Sequence, residues 1–266
     1  MHTIDTKVRP VGQLLREWRE RRRLSQLALA IAADISTRHL SFVETGRSRP
    51  TSDMILRLTE QLDVPLRERN TLLLAGGYAP AYPASAVHSR PMEPVRAAVR
   101  HVLNGHEPYP ALVVDGGWNL VDANRSVTPF LAVAAPALLE PPVNALRLSL
   151  HPDGMAPYIS NLGEWRGHLL SRLRRQCSVN PTAELASLYT ELRSYPCDQA
   201  EPDVELPGPG DVFVPLRFRH HDGELNFVST TTVFGTPLDV TVSELTIESF
   251  FPADAETGEA LRRLAG

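Results

Sequence analysis

Apolar residues recur every three or four positions through the first third of the chain, which predicts a run of short helices. Val11, Leu14, Leu15 and Trp18 form one stripe of a helix from about Pro10 to Arg22, with Pro10 suited to its first turn. Ser25 is placed to cap a second helix carrying Gln26, Leu27, Ala30 and Ile31, and Ser36 a third carrying Thr37, Arg38, Leu40, Ser41 and Val43. Ser52 reads as the cap of a fourth, which buries Ile55, Leu56, Leu58, Thr59 and Leu62. A fifth runs from Leu66 to Ala75 and stops at Gly76-Gly77.

After three prolines in the stretch Tyr78 to Pro91 the pattern changes. Met92, Val95, Val99, Val102 and Leu103 predict a longer helix, and Ala111–Val114, Asp115-Gly116-Gly117 and Trp118–Ala123 predict a hairpin. Asn124 is placed to cap a short helix toward Leu131. Helical spacing resumes over Val143–Leu150, Asn161–Arg175 and Thr182–Arg193. The last third shifts to strands at Val212–His220, Glu224–Val233 and Leu238–Ser249, with Pro215 putting the first at a sheet edge or starting it later. Asp254 then caps a final helix. Five strands with helices inserted after the second predict a mixed α/β (α+β) domain with a five-stranded antiparallel sheet.

The second and third helices are the informative pair. Leu27, Ala30, Ile35, Leu40 and Val43 are expected to close one small core, leaving Gln26, Thr37, Arg38, Ser41 and Phe42 outside. That is a helix-turn-helix, whose second helix suits a major groove. Charge agrees with this placement: Met1–Ala75 carries a net +4 and the remainder a net −8, within a total of −4. Gln26, at a helix start, can bond a phosphate. Arg38 suits guanine, and Thr37 or Phe42 a thymine methyl. Arg47, Ser48 and Arg49 suit the neighbouring backbone. Phe42 could equally pack between helices, and the run Arg19–Arg23 is either a solvated face or a phosphate contact.

Composition narrows the chemistry. Lys7 is the sole lysine, which removes P-loop, pyridoxal and Ser-Lys protease chemistry. Cys177 and Cys197 are too few and too far apart for a zinc knuckle or a redox pair, and adjacent His220 and His221 diverge on a strand. No nucleophile or dinucleotide motif occurs, so no enzyme, cofactor or metal is expected. The chain shows neither a leader nor an apolar run long enough for a membrane span, so a cytoplasmic address is expected.

The Ser25-Gln26 start and the Val43-Glu44-Thr45-Gly46-Arg47 end resemble the DNA-binding domain of lambda-repressor-like (XRE-type) regulators. Asp34 stands where that family usually has Gly at the turn, a mild departure because Asp tolerates a left-handed backbone. A wider resemblance covers nearly the whole chain. RERRRLSQLALA, RHLSFVETGRSRP, LDVPLRERNTLLLAGGYAP, HEPYPALVVDGGWNLVDAN, LRLSLHPDGMAP and LTIESFFPAD are similar to segments of the MmyB-like transcription regulators.

The resemblance implies an all-α five-helix domain over 1–77, a strap over 78–91, and a PAS-like ligand-binding domain over 92–266. It places Thr37, Arg38, Ser41 and Phe42 at the family's base-reading positions. It also implies a small apolar ligand such as a fatty acid. Candidate carboxylate anchors are Arg147, His151, Arg217 and Arg219, and candidate wall residues are Trp118, Trp165, Phe213, Phe218 and Phe227. His151 could instead order its own loop, and each aromatic could be ordinary core. Double-stranded DNA as a two-fold operator, with a homodimer reading it, is the expected partnership. The alternative is a C-terminal domain serving only dimerisation or protein docking.

Overall fold

A computed structural model describes residues 9–200, 214–221 and 223–265. Two compact units are present. One holds the described residues up to Ser85 together with Thr236–Ser243, and the other holds the remainder.

The first unit is built from helices α1 (Val11–Arg21), α2 (Gln26–Ala32), α3 (Thr37–Glu44), α4 (Ser52–Gln61) and α5 (Leu66–Ala75). Ser25 and Ser36 cap α2 and α3 by accepting from the Ala28 and His39 N–H groups. Thr51, one residue before the expected Ser52, caps α4. Asp34 takes a left-handed backbone (φ 52°) at the turn between α2 and α3, as its short polar side chain allows.

The core comprises Leu14, Leu15, Trp18, Leu29, Ala30, Leu40, Val43, Ile55, Leu58, Leu62, Leu72 and Leu73. Leu27, expected inside, is 58% exposed, and Ile31 on the same helix is 71% exposed. In the seven-residue run QLALAIA two apolar stripes are available, and packing against the neighbouring helices selects the one through Leu29 and Ala30.

Two close approaches shape this unit. A Cβ on Gly12 would lie 2.1 Å from the Val43 carbonyl oxygen, so glycine lets α1 meet the end of α3 backbone to backbone. Gly77, at φ +81°, leaves room for the Arg49 guanidinium, which donates to the Gly76 carbonyl at 2.8 Å. The proline-rich stretch beyond is fastened here too. Asn70 accepts from the Ala81 and Tyr82 N–H groups and donates to the Tyr82 carbonyl.

The second unit opens with α6 (Glu93–Gly105) and the hairpin β1 (Ala111–Val114) and β2 (Leu120–Ala123). Helices α7 (Thr128–Leu131), α8 (Ala145–Leu150), α9 (Leu162–Val179) and α10 (Ala183–Ser194) come next, then strands β3 (Leu216–His220) and β4 (Gly223–Val233). After α11 (Val240–Glu244), nearly all of which belongs to the first unit, come β5 (Thr246–Pro252) and α12 (Ala255–Ala265) of the second. All strand pairs are antiparallel, in the order β2-β1-β5-β4-β3. Thus β3 is an edge strand and begins just after Pro215, both consequences of a missing N–H donor.

Three local expectations need correction. Leu238–Ser249 is not one strand: Asp239 accepts from the Thr241 N–H at 2.8 Å, and this local bond turns Val240–Glu244 into a helix before β5 begins. Asn124 does not cap a helix. Its amide accepts from the Ala111 N–H and donates to the Leu103 and Tyr109 carbonyls, tying the start of β1 to the end of α6. Helix α9 runs four residues past Arg175, to the residue before Asn180-Pro181.

Gly12→Ala tests the close approach in the first unit. A helix-interior alanine gains about 1 kcal/mol in propensity, whereas forcing a methyl against fixed backbone costs about 1–3 kcal/mol. The variant should therefore unfold at lower urea concentration; a midpoint equal to or above the parent's would show that α1 is free to move.

Candidate functional site

Two sites arise from these elements. In the first unit, α3 presents Thr37, Arg38, Ser41 and Phe42 partly or fully to solvent, with Leu40 and Val43 buried behind them. Helical spacing places Arg38 and Phe42 on successive turns. The Arg38 guanidinium lies 5.3 Å from the Phe42 ring centre, and that of Arg47 lies 5.9 Å from the same ring. Phe42 thus gathers two cations at the end of α3, with its ring half-buried.

Behind this face sits a carboxylate that determines how α1, α2 and α3 meet. Glu44, with its side chain 2% exposed, accepts from Arg19 Nε at 2.7 Å and Nη2 at 2.8 Å, and from Gln26 Nε2 at 2.7 Å. Arg19 Nη1 donates further to the Leu24 carbonyl. The hydrogen bond to Glu44 is the main reason the Arg19 pKa is raised. Arg19, from the basic run, is therefore committed to the fold, and Gln26 spends one of its two amide N–H donors on Glu44 and keeps the other. Arg49 is likewise engaged, on Gly76 and beside the Tyr78 ring. Arg38 and Arg47 are exposed and lie over the Phe42 ring.

The second site is an apolar cavity of about 100 Å³ in the second unit. Its walls come from the hairpin (Leu112, Trp118, Leu120), α7–α8 (Phe130, Leu146, Leu148), α9 (Trp165, Leu169, Arg172) and the sheet (Phe227, Glu248, Phe250). On α9, Trp165, Leu169, Arg172 and Gln176 share one stripe at helical spacing. Trp165 donates its indole N–H to Ser149 Oγ at 2.9 Å, and Trp118 donates to Gln176 Oε1 at 2.7 Å. Gln176 in turn donates to the Gly116 carbonyl, so α9 grips the β1–β2 turn. There Trp118 adopts φ +66°, unusual for a bulky residue, and that conformation carries its ring to the cavity wall.

Trp118, Trp165 and Phe227 thus line the cavity, while Phe218 packs behind it, 5.0 Å from Phe130. The candidate anchors do not line it. Arg147 pairs with Glu191 at 2.7 and 2.8 Å, holding that carboxyl below its usual pKa; Tyr195 also donates to Glu191. His151 accepts from the Asp153 N–H at 3.0 Å and orders its own loop. Arg217 and Arg219 alternate with buried Leu216 and Phe218 on β3 and therefore face outward. Phe213 lies outside the described residues.

The charged groups that do reach the cavity, Arg172 and Glu248, were not among the sequence candidates. Arg172 was hidden in the basic stretch of α9, and Glu248 in a β-strand. A charge three residues after an apolar Leu169 and four before Gln176 on one helical stripe was the signal available for Arg172.

Comparisons with known proteins agree with both halves. A helix-turn-helix domain family matches residues 10–72, and the family described as MmyB-like transcription regulator ligand binding domain matches residues 95–264. No curated protein matches the chain. Among solved structures, one titled "Structure of an RNA-binding Light-Oxygen-Voltage Receptor" aligns at 12% identity with a TM-score of 0.27. It covers 96% of this chain, and the chain spans 63% of that protein's length. No helix among the described residues is long and apolar enough to cross a membrane. With a helix-turn-helix at its N-terminal end and that ligand-binding domain over most of the remaining chain, the protein belongs to the MmyB-like transcription regulators and is a DNA-binding transcription regulator.

Proposed function

We propose that this regulator binds an operator as a homodimer and that a small acyl-chain ligand, a fatty acid or a derivative of one, occupies the cavity of its C-terminal domain and alters operator affinity. The observation that carries the reading is the cavity itself: apolar on nearly every side, walled by aromatic rings, with a single ion pair reaching it among the described residues. Sites for small molecules have this composition, although typical volumes are about 300–1,000 Å³. At about 100 Å³ the cavity holds a short chain as it stands, and a longer one requires the walls to part. Each buried methylene contributes about 0.8 kcal/mol, so a chain of medium length can offset the cost of moving the walls. That movement, acting on α9 where it grips the β1–β2 turn, is the event a ligand would use to shift the protein between states.

For the DNA half, residues 1–77 act as the reader, 78–91 as strap and 92–266 as the ligand domain. Arg38 reads a guanine, Thr37 and Ser41 flank it in the groove, and Phe42 braces Arg38 and Arg47. Arg47 and the Gln26 amide contact phosphates. A two-fold dimer on a pseudo-palindromic site supplies the contacts that one small domain lacks.

Arg38→Ala should cost about 1–3 kcal/mol on the preferred operator and relax preference at one position of each half-site. A uniform loss over all sequences, seen by titrating a randomised operator library, would instead make Arg38 a phosphate contact. Arg47→Ala should weaken all sequences alike and lower the slope of log affinity against log salt by about one per site. Leu120→Trp, which fills the cavity, should lower affinity for medium-chain acyl compounds about tenfold or more while leaving ligand-free operator binding intact. Operator affinity that stays constant under saturation with every compound found to bind would sink the switch.

A further inference from the structure

The ion pair at the cavity determines which head group the site accepts. Arg172 Nη2 donates to Glu248 Oε1 at 2.7 Å and Nη1 to Oε2 at 3.1 Å. The strand register sets Thr231 opposite Glu248, and its hydroxyl accepts from Arg172 Nη2 at 3.1 Å. The guanidinium also lies 4.9 Å from the Trp118 ring centre. Side-chain exposures are 20% for Arg172 and 6% for Glu248. The positive charge is therefore neutralised before any ligand arrives.

An ionised carboxylate entering this cavity has two options, both unfavourable. It can displace Glu248, which strands a nearly buried carboxylate without its partner. Otherwise it shares the guanidinium with Glu248, which sets two like charges side by side. A neutral carbonyl meets neither penalty. Of the five guanidinium N–H groups, Glu248 and Thr231 take three, leaving Nε–H and one Nη1–H with no acceptor among the described residues. Neighbouring titratable groups do not alter the balance. His168, stacked on Trp165, is held below its usual pKa chiefly by burial and by Arg172 and Arg175, so it carries no charge at neutral pH or above. Arg175 is exposed and donates to Ser171.

We infer that the site selects an acyl chain bearing an uncharged carbonyl head, an ester or an amide, over the free carboxylate, with Glu248 as the residue that sets the preference. The inference rests on the cavity being an acyl-chain site. The test is calorimetric titration of the full chain with octanoate, methyl octanoate and octanamide at about pH 8, where a carboxylic acid is ionised and histidine neutral.

The ester and the amide should bind at least about tenfold more tightly than octanoate. Glu248→Gln keeps the shape and an acceptor but removes the charge. It should raise octanoate affinity about tenfold or more and change ester affinity less than about threefold. Octanoate binding as tightly as the ester in the unmodified protein would overturn the inference, as would a ranking unmoved in Glu248→Gln. The ranking in the unmodified protein decides the matter even where the variant fails to fold. Binding by none of the three would overturn the acyl-chain reading of the cavity, and this inference with it.

Discussion

A carboxylate taken out of water must keep its partners, and this chain uses that constraint in both of its units. Glu44 in the first and Glu248 in the second are the most deeply buried acids of their surroundings, and each meets an arginine end-on or side-on through two bonds. Breaking such a pair by removing one partner costs about 3–5 kcal/mol, because the other charge stays buried alone. The geometry around each pair is therefore held tightly. Around Glu44, three helices are fixed at the angle that exposes α3. Around Glu248, the middle strand of the sheet, the edge of β4 and helix α9 are fixed around an apolar hollow.

The two units then differ in what the constraint leaves free. In the first, Arg19 and Gln26 engage Glu44, the acid of α3, internally, so the surface of α3 and the loop after it carries exposed Arg38 and Arg47. A positive face of this kind attracts a polyanion at long range and leaves discrimination to a few side chains at close range. In the second, the pair leaves no net charge at the cavity, so binding there is governed by apolar area and by the few N–H donors left over.

Helix α9 links the chemistry of the cavity to the backbone around it. One stripe of its side chains supplies the wall (Trp165, Leu169), the cation (Arg172) and the amide (Gln176) that holds both the Trp118 indole and the Gly116 carbonyl. The strained backbone at Trp118 is maintained by those contacts. The cavity wall thus includes a turn held in a sparsely populated conformation.

Local pattern alone determined a great deal here: the five N-terminal helices, the Ser25 and Ser36 caps, the left-handed Asp34, the hairpin, and the edge position of the strand after Pro215. These depend on neighbours within about one helical turn or one strand, which sequence spacing records. Tertiary structure decided the rest. It chose Leu29 over Leu27 and Ile31 because a short run of small and apolar residues offers two faces and only packing distinguishes them. It turned Val240–Glu244 into a helix through one Asp239 bond. It engaged Arg49 and Arg147 in internal bonds, left His151 to order its own loop, turned Arg217 outward, and brought Arg172 and Glu248 together from 76 residues apart. An arginine's spacing records that it is charged and which helix face it occupies, but which carboxylate reaches it is settled only when the sheet closes over the helix.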